Sequence, residues 1–121
     1  SVHAPFRAVV MVEAEVSSQW QMVVSKWLVQ SGCLYSMAWG MRCSSWDDSV
    51  DMANIEHFNF EAIPEDKFVM TTWHEDQSLA DVFGFCKNHA IHHTIDLRAT
   101  VLLHISIQER ESELMAAYAD A

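Results

Sequence analysis

Strand-like and helix-like segments alternate along this chain, and the alternation limits the folds open to it. The apolar, β-branched run Phe6–Val12 has the pattern of a strand buried on both faces, and the segment from Ser18 to Gly32 has helical spacing. Similar strand-like runs recur at residues 33–39, 68–73 and 97–106. Because the helices between them must cross over the sheet, the sequence predicts an α/β fold with a mostly parallel sheet.

The length of the chain sets how many such units it can hold. With 121 residues, we expect a single three-layer domain over residues 1–121, with about four strands and helices on both faces. A flavodoxin-like strand order, 2-1-3-4, is the compact solution that we favour. The packed part covers about residues 6–106, and residues 107–121 form a tail with a weak helical pattern.

The first predicted helix carries an apolar stripe. Five of its residues stand at i, i+3, i+4, i+7 and i+8, namely Trp20, Val23, Val24, Trp27 and Leu28. This spacing is typical of a helix that buries one face and exposes the other. We therefore expect these five side chains to point into the core.

The charge of the chain restricts its partners. It has 7 Lys and Arg against 17 Asp and Glu, a formal net charge of -10. Phosphate backbones and anionic membranes both need a basic surface, so we expect neither a nucleic acid nor a membrane as partner. A basic protein or a small cationic ligand suits this charge better.

Cysteine usage and apolar runs indicate the compartment. The chain has no CxxC pair, so we expect Cys33, Cys43 and Cys86 to be free thiols. Free thiols are typical of a reducing compartment, and we expect the cytoplasm. The longest apolar runs are far shorter than the ~20 residues that span a bilayer. Residues 1–5 show neither the charged nor the apolar region of a secretory signal.

Aromatic and imidazole side chains follow the predicted strands at the ends where ligands bind in α/β proteins. In an open parallel sheet this is the carboxyl edge, at the point where the strand order reverses. The sequence places five candidate ligand-binding residues there: Trp39, Trp46, Trp73, His74 and His104. The indoles could line an apolar pocket, although Trp at a strand end often simply closes the core.

The same edge offers an alternative, catalytic interpretation. His74 has the chemistry of a general base, Asp47 or Glu75 could orient its ring, and Cys43 or a bound water could act as the nucleophile. Together these residues would make a small hydrolase. The simpler interpretation is that His74 belongs to the polar start of the next helix.

The usual signatures of cofactor and metal sites are missing. There is no GxGxxG or Walker A loop, and with 3 Gly in the chain we expect no nucleotide or flavin cofactor. His89, His92 and His93 do not form a closed set of Cys and His ligands at the usual metal-site spacings. We therefore expect a solvated loop there and no tightly bound transition metal.

Two longer runs resemble a known group of proteins. The first, within residues 31–50, reads SGCLY, then MAWG, then a Cys followed by WDDSV. The second, residues 68–76, reads FVMTTWHED. Both are similar to a family of short uncharacterised bacterial proteins, a domain of unknown function. The resemblance covers most of the chain, up to about Ser106. It implies a bacterial source, and it implies no activity, ligand or catalytic residue.

Binding rather than catalysis is the function that these residues favour. We expect a small cytoplasmic binding or accessory protein whose ligand site lies at the carboxyl edge.

The tail carries apolar residues with no later element to cover them: Ile107, Leu114, Met115 and Tyr118. It must pack back on its own sheet, fray or meet a second copy, and we expect a homodimer.

Overall fold

The computed structural model describes residues 4–121, and the strands within this range form one parallel sheet. The strands are β1 (Phe6–Val12), β2 (Cys33–Gly40), β3 (Met70–His74) and β4 (Ala99–Ile105), and the helices are α1 (Ser18–Ser31), α2 (Cys43–His57), α3 (Leu79–His89) and α4 (Glu111–Asp120). The predicted α/β class and parallel sheet are confirmed. Residues 1–3, part of the segment in which we expect no secretory signal, lie outside the described residues.

The strand order is β3-β2-β1-β4, whereas the sequence favoured 2-1-3-4. β3 pairs with β2 instead of β1, and β4 takes the free side of β1. Burial explains the difference, because β1 and β2 are buried along almost their whole length, whereas β3 contains Thr71, Thr72 and an exposed Trp73. The most apolar strands take the central positions. The order remains flavodoxin-like in kind, because it reverses beside β1.

Each face of the sheet carries two helices, which confirms the three-layer arrangement. The steps from β1 to β2 and from β2 to β3 run in one direction, so right-handed crossovers place α1 and α2 on the same face. The core on that face includes Leu28 of α1 and Trp46 of α2. The core on the other face includes Val82 and Phe83 of α3 and Leu114 of α4.

Local signals set the ends of the helices. Ser17 caps α1 by accepting a hydrogen bond from the backbone N–H of Trp20, and Gly32 ends that helix with a left-handed φ of 108°. Ser78 caps α3 in the same way. No helix within residues 4–121 is long and apolar enough to cross a membrane. The three cysteines are buried free thiols, as predicted.

Helix α1 buries a different face from the one that its apolar stripe predicts. Leu28 is buried and Val24 is half-buried, as expected. Trp20, Val23 and Trp27, however, are 46%, 63% and 46% exposed. The prediction that all five side chains point into the core is therefore wrong for three of them.

The position of α1 beside α2 explains this exposure. The flank of α1 that meets α2 is polar: Ser25 Oγ lies 2.8 Å from Ser49 Oγ, and Gln21 Nε2 donates to the same oxygen at 3.2 Å. Lys26 and Glu56 form an ion pair across the same contact. The apolar flank lies on the opposite side, toward β4, where no helix of the described chain covers the sheet.

The tail packs back on its own sheet, one of the three outcomes open to it. Leu114 of α4 is buried, and the Tyr118 hydroxyl donates to Thr100 Oγ1 of β4 at 3.3 Å. The Tyr118 ring meets Phe83 edge-on, with ring centroids 5.2 Å apart. Ile107 remains exposed. Helix α4 therefore completes the second face of the sheet.

The loop after α3 differs from the solvated segment that the sequence predicts. His92 is buried, and its Nε2 lies 2.8 Å from the carbonyl oxygen of Phe68. Its Nδ1 accepts hydrogen bonds from the backbone N–H groups of Thr94 and Ile95. The imidazole thus ties this loop to the segment before β3, because it can donate at one nitrogen and accept at the other.

Candidate functional site

A row of side chains crosses all four strands near the carboxyl edge. His74 of β3 stands beside Trp39 of β2, Trp39 beside Met11 of β1, and Met11 beside His104 of β4. Met11 and Trp39 pack into the core under α3 and α4, so paired residues of the row share that face. Three sequence-predicted candidates, Trp39, His74 and His104, therefore lie on one face at one edge.

The other two candidate indoles lie on the opposite face. Trp73 pairs with Ala38, so its side chain points toward the α2 side, where it is 52% exposed. Trp46 is buried in the core that α1 and α2 cover. The five candidate ligand residues do not line one pocket, because the sheet separates them into two groups.

Both ring nitrogens of His74 have neutral partners. Nε2 lies 2.8 Å from Thr72 Oγ1, and Nδ1 lies 3.0 Å from Gln77 Oε1. With Oε1 as the acceptor, Nδ1 carries the proton and Nε2 accepts from the Thr72 hydroxyl. The ring is 5% exposed and packs against Phe85. Among residues 4–121, no carboxylate bonds either nitrogen.

The remaining catalytic candidates do not join His74. Asp47 lies on α2, across the sheet from the imidazole, and Glu75 is exposed. Burial, reinforced by the Glu75 carboxylate and partly opposed by backbone groups, raises the pKa of the Cys43 thiol. A thiol whose pKa is raised is a poor nucleophile at neutral pH. The hydrolase interpretation has no support in this geometry.

A charged cluster that the sequence analysis did not identify occupies the point where the strand order reverses. Glu13 directly follows β1, and its Oε1 lies 2.7 Å from His104 Nε2 and accepts from Arg110 Nη2 at 2.8 Å. Burial raises the pKa of Glu13, but the bonds from Arg110 and His104 together outweigh burial and hold that pKa below its ordinary value. The parallel pairing of β1 with β4 brings these sequence-distant residues together.

A cavity of about 450 Å³ opens beside this cluster, between β4 and the start of α4. Its walls combine apolar side chains (Met11, Leu102, Ile107, Leu114 and Met115) with polar ones (His104, Ser106, Gln108, Glu109 and Glu111). The volume falls in the range of small-molecule sites. The position agrees with the predicted location of a ligand site, at the carboxyl edge where the strand order reverses.

Three carboxylates gather on α2. One oxygen from each of Asp47, Asp48 and Asp51 lies within 4.8 Å of the others. Asp47 is 6% exposed, and its Oδ1 is buried without a hydrogen-bond partner. Burial, with the charges of Asp51 and Asp48, raises the pKa of Asp47 to about 6 against the opposing effect of the Thr71 hydroxyl.

An apolar surface lies along the uncovered flank of α1. We call it the α1–β4 surface, and it comprises Trp20, Val23 and Trp27 of α1 with Val101 and Leu103 of β4. Val101 and Leu103 pair with Ala8 and Val10, whose side chains lie in the core under α1. In the described chain, β4 has β1 on one side and no strand on the other.

Comparison with known proteins assigns a family. The family model described as Domain of unknown function (DUF7684) matches residues 1–121, which is the whole chain. No curated protein matches the chain, and no solved structure does. Function must therefore be argued from the geometry of the site and the surface.

Proposed function

We propose that the chain, which belongs to the DUF7684 family of domains of unknown function, is a small non-catalytic binding protein that self-associates through the α1–β4 surface. The observation that carries the proposal is the 46% exposure of both Trp20 and Trp27 on one flank of one helix. Contiguous exposed apolar side chains mark interaction sites, and Trp is the residue type most enriched among those that dominate binding energy.

Charge favours a second copy as the occupant of this surface. The chain carries a formal net charge of -10, yet α1 contains no Asp or Glu and its only charged residue is Lys26. β4 contains no Asp or Glu either. Two copies that meet through the α1–β4 surface bury apolar groups without bringing their acidic side chains into contact, which limits the repulsion.

The tail is not the contact that we propose for the dimer. The sequence analysis predicts self-association from the uncovered apolar residues of the tail, but Leu114 and Tyr118 pack inside their own chain. The proposal therefore moves the contact to the other face of β4. Three buried free thiols support a reducing cytoplasm as the location.

The test is a charge placed in the surface, with a matched indole elsewhere as the control. Trp27→Glu puts a carboxylate into the contact, whereas Trp73→Glu makes the same change on β3, where the indole is 52% exposed. Light scattering across the micromolar range should give a mass near twice 13.8 kDa for the wild type and for Trp73→Glu. Trp27→Glu should give a monomer.

Two results would remove this proposal. One is a monomeric wild type at the highest concentration measured. The other is a dimer that survives both Trp27→Glu and Val23→Glu, since the contact would then lie elsewhere. Circular dichroism of each variant confirms that the fold is intact.

The cavity beside Glu13 supports a second candidate function, the binding of a small amphipathic cation. Its apolar wall can hold a short hydrocarbon chain, and the carboxylates of Glu109 and Glu111 can attract an ammonium group. Arg110 is already engaged by Glu13, so it does not attract an anion to this site. The charge of the whole chain favours the same class of ligand.

Calorimetry with hexylammonium tests this candidate against hexanoate, which has a similar chain and the opposite charge. We expect saturable binding of hexylammonium alone, weakened several-fold by Glu111→Gln and unaffected by Glu61→Gln, which lies outside the cavity. Equal binding of the two probes, or none of either, contradicts a cation site.

A further inference from the structure

We propose that Asp47, Asp48 and Asp51 form a binding site for a hard divalent cation of the calcium and magnesium class. Carboxylate oxygens are the ligands that both ions prefer. This site lies on α2, apart from the α1–β4 surface and from the cavity beside Glu13, and so it is independent of the function proposed above.

The spacing of the oxygens suits one shared ion. Two oxygens bound to one cation are separated by at most twice the metal–oxygen distance, about 4.2 Å for magnesium and about 4.6–5.2 Å for calcium. One oxygen of each carboxylate lies within 4.8 Å of the others, so small side-chain rotations bring all three to the same ion.

The buried carboxylate is the independent observation that points to a ligand. Asp47 is 6% exposed, its Oδ1 has no hydrogen-bond partner, and no Lys or Arg among residues 4–121 forms an ion pair with it. A buried carboxylate oxygen without a partner is costly, and buried carboxylates are normally paired or coordinate a metal. A bound cation would supply the missing partner.

The helix dipole does not account for the cluster. Helix α2 begins at Cys43, and its first turn contains no acidic residue. The three carboxylates therefore lie beyond the turn in which the dipole effect is strong. Asp47 and Asp51 stand four residues apart, an arrangement that destabilises a helix when both side chains carry the same charge.

The surroundings suit an ion that exchanges with solvent. Asp48 is exposed, so one side of the cluster is open to water, which can complete the coordination shell. Thr71 Oγ1 of β3 donates to Asp51 Oδ1 at 2.7 Å and holds that carboxylate in place. Hydrogen bonds of this kind to a ligand commonly orient metal-binding carboxylates.

Terbium luminescence provides the direct test, because Tb³⁺ binds calcium sites and Trp46 stands next to Asp47 in the chain. Excitation of tryptophan should give saturable terbium emission at one ion per chain, displaced by CaCl₂ or MgCl₂. Asp47→Asn and Asp51→Asn should each weaken calcium binding at least tenfold. Asp66→Asn, an exposed acidic residue outside the cluster, should leave it unchanged.

A stability measurement gives a second readout. At a hundredfold excess of CaCl₂ over its dissociation constant, the melting temperature of the wild type should rise by about 5–10 °C, and that of Asp47→Asn should not. Absence of saturable terbium and calcium binding overturns the proposal, and so does unchanged calcium affinity in both Asp47→Asn and Asp51→Asn.

Discussion

At the scale of single residues, Gly40 decides how β2 ends and α2 begins. Its φ is +97°, and an added Cβ would lie 2.1 Å from the carbonyl oxygen of Val12. That oxygen already accepts a hydrogen bond from the N–H of Met41, so it is not free to move away. We expect Gly40→Ala to lower the free energy of unfolding by about 2–4 kcal/mol, measured by urea denaturation.

Gly84 provides the matched control for this substitution. It lies inside α3, and nothing stands within 4 Å of the position that its Cβ would take. Gly84→Ala should therefore raise the free energy of unfolding by about 0.5–1 kcal/mol, because Ala is the better helix former. Equal effects of the two substitutions would contradict the role assigned to Gly40.

Glu13 makes stability depend on pH. Its pKa is held below the ordinary value of 4.5 in the folded state, so the carboxylate stabilises the fold above that value and ceases to do so as the pH falls through the lowered pKa. We expect Glu13→Gln to cost about 1 kcal/mol at neutral pH and progressively less below pH ~4.5. Urea denaturation at several pH values measures the difference. Glu15→Gln, at an exposed neighbour, should show no such trend.

The sequence predicts those parts of the site that depend on neighbouring residues better than those that depend on contacts between distant residues. The strand-end positions of Trp39, His74 and His104 follow from local patterns, and the structure places all three at the carboxyl edge. The face that each side chain occupies depends on register, which the sequence alone does not set. The contact of Glu13 with Arg110 joins residues 97 apart, and no local pattern reports such a pairing.

At the scale of elements, α1 shows that residues of one apolar stripe can differ in burial. Leu28 is fully buried, whereas Val23 is 63% exposed although both belong to the same predicted stripe. In a monomeric sample, Leu28→Ala should therefore cost about 2–4 kcal/mol of unfolding free energy, and Val23→Ala should stay within about 0.5 kcal/mol of the wild type. Chemical denaturation at low protein concentration checks both. A similar cost for the two variants would mean that Val23 is buried in solution.

The positions of the strands and helices can be predicted from the sequence more readily than the groups that pack against them. The four strands, the first helix and the helical tail lie close to their predicted positions, because apolar spacing acts locally. An apolar stripe shows that a helix face avoids water, but it does not show whether the covering group belongs to the same chain. Trp20 and Trp27 satisfy the pattern of a core and lie at the surface.

At the scale of the whole molecule, net charge opposes association. Each copy carries a formal charge of -10, so two copies repel one another, and salt screens that repulsion over distances of about 10 Å at 0.1 M. An apolar contact at the α1–β4 surface should therefore tighten several-fold as NaCl rises from low to high concentration. Sedimentation equilibrium measures the dissociation constant. Weakening with salt would indicate a contact built on ion pairs instead.

The pairing of the first strand with the last has a consequence for synthesis on the ribosome. β1 is one of the two central strands and is apolar except for Arg7, yet one of its two edges is closed only by β4. Arg7 Nε donates to Thr100 Oγ1 across 93 residues of chain. At ~5–20 residues per second, a nascent chain must hold that edge open for about 5–20 s. A truncated mRNA that ends before the codon for Ile105 would therefore yield a fragment with an unpaired hydrophobic strand edge. Such a fragment should aggregate and be bound by chaperones or degraded by proteases.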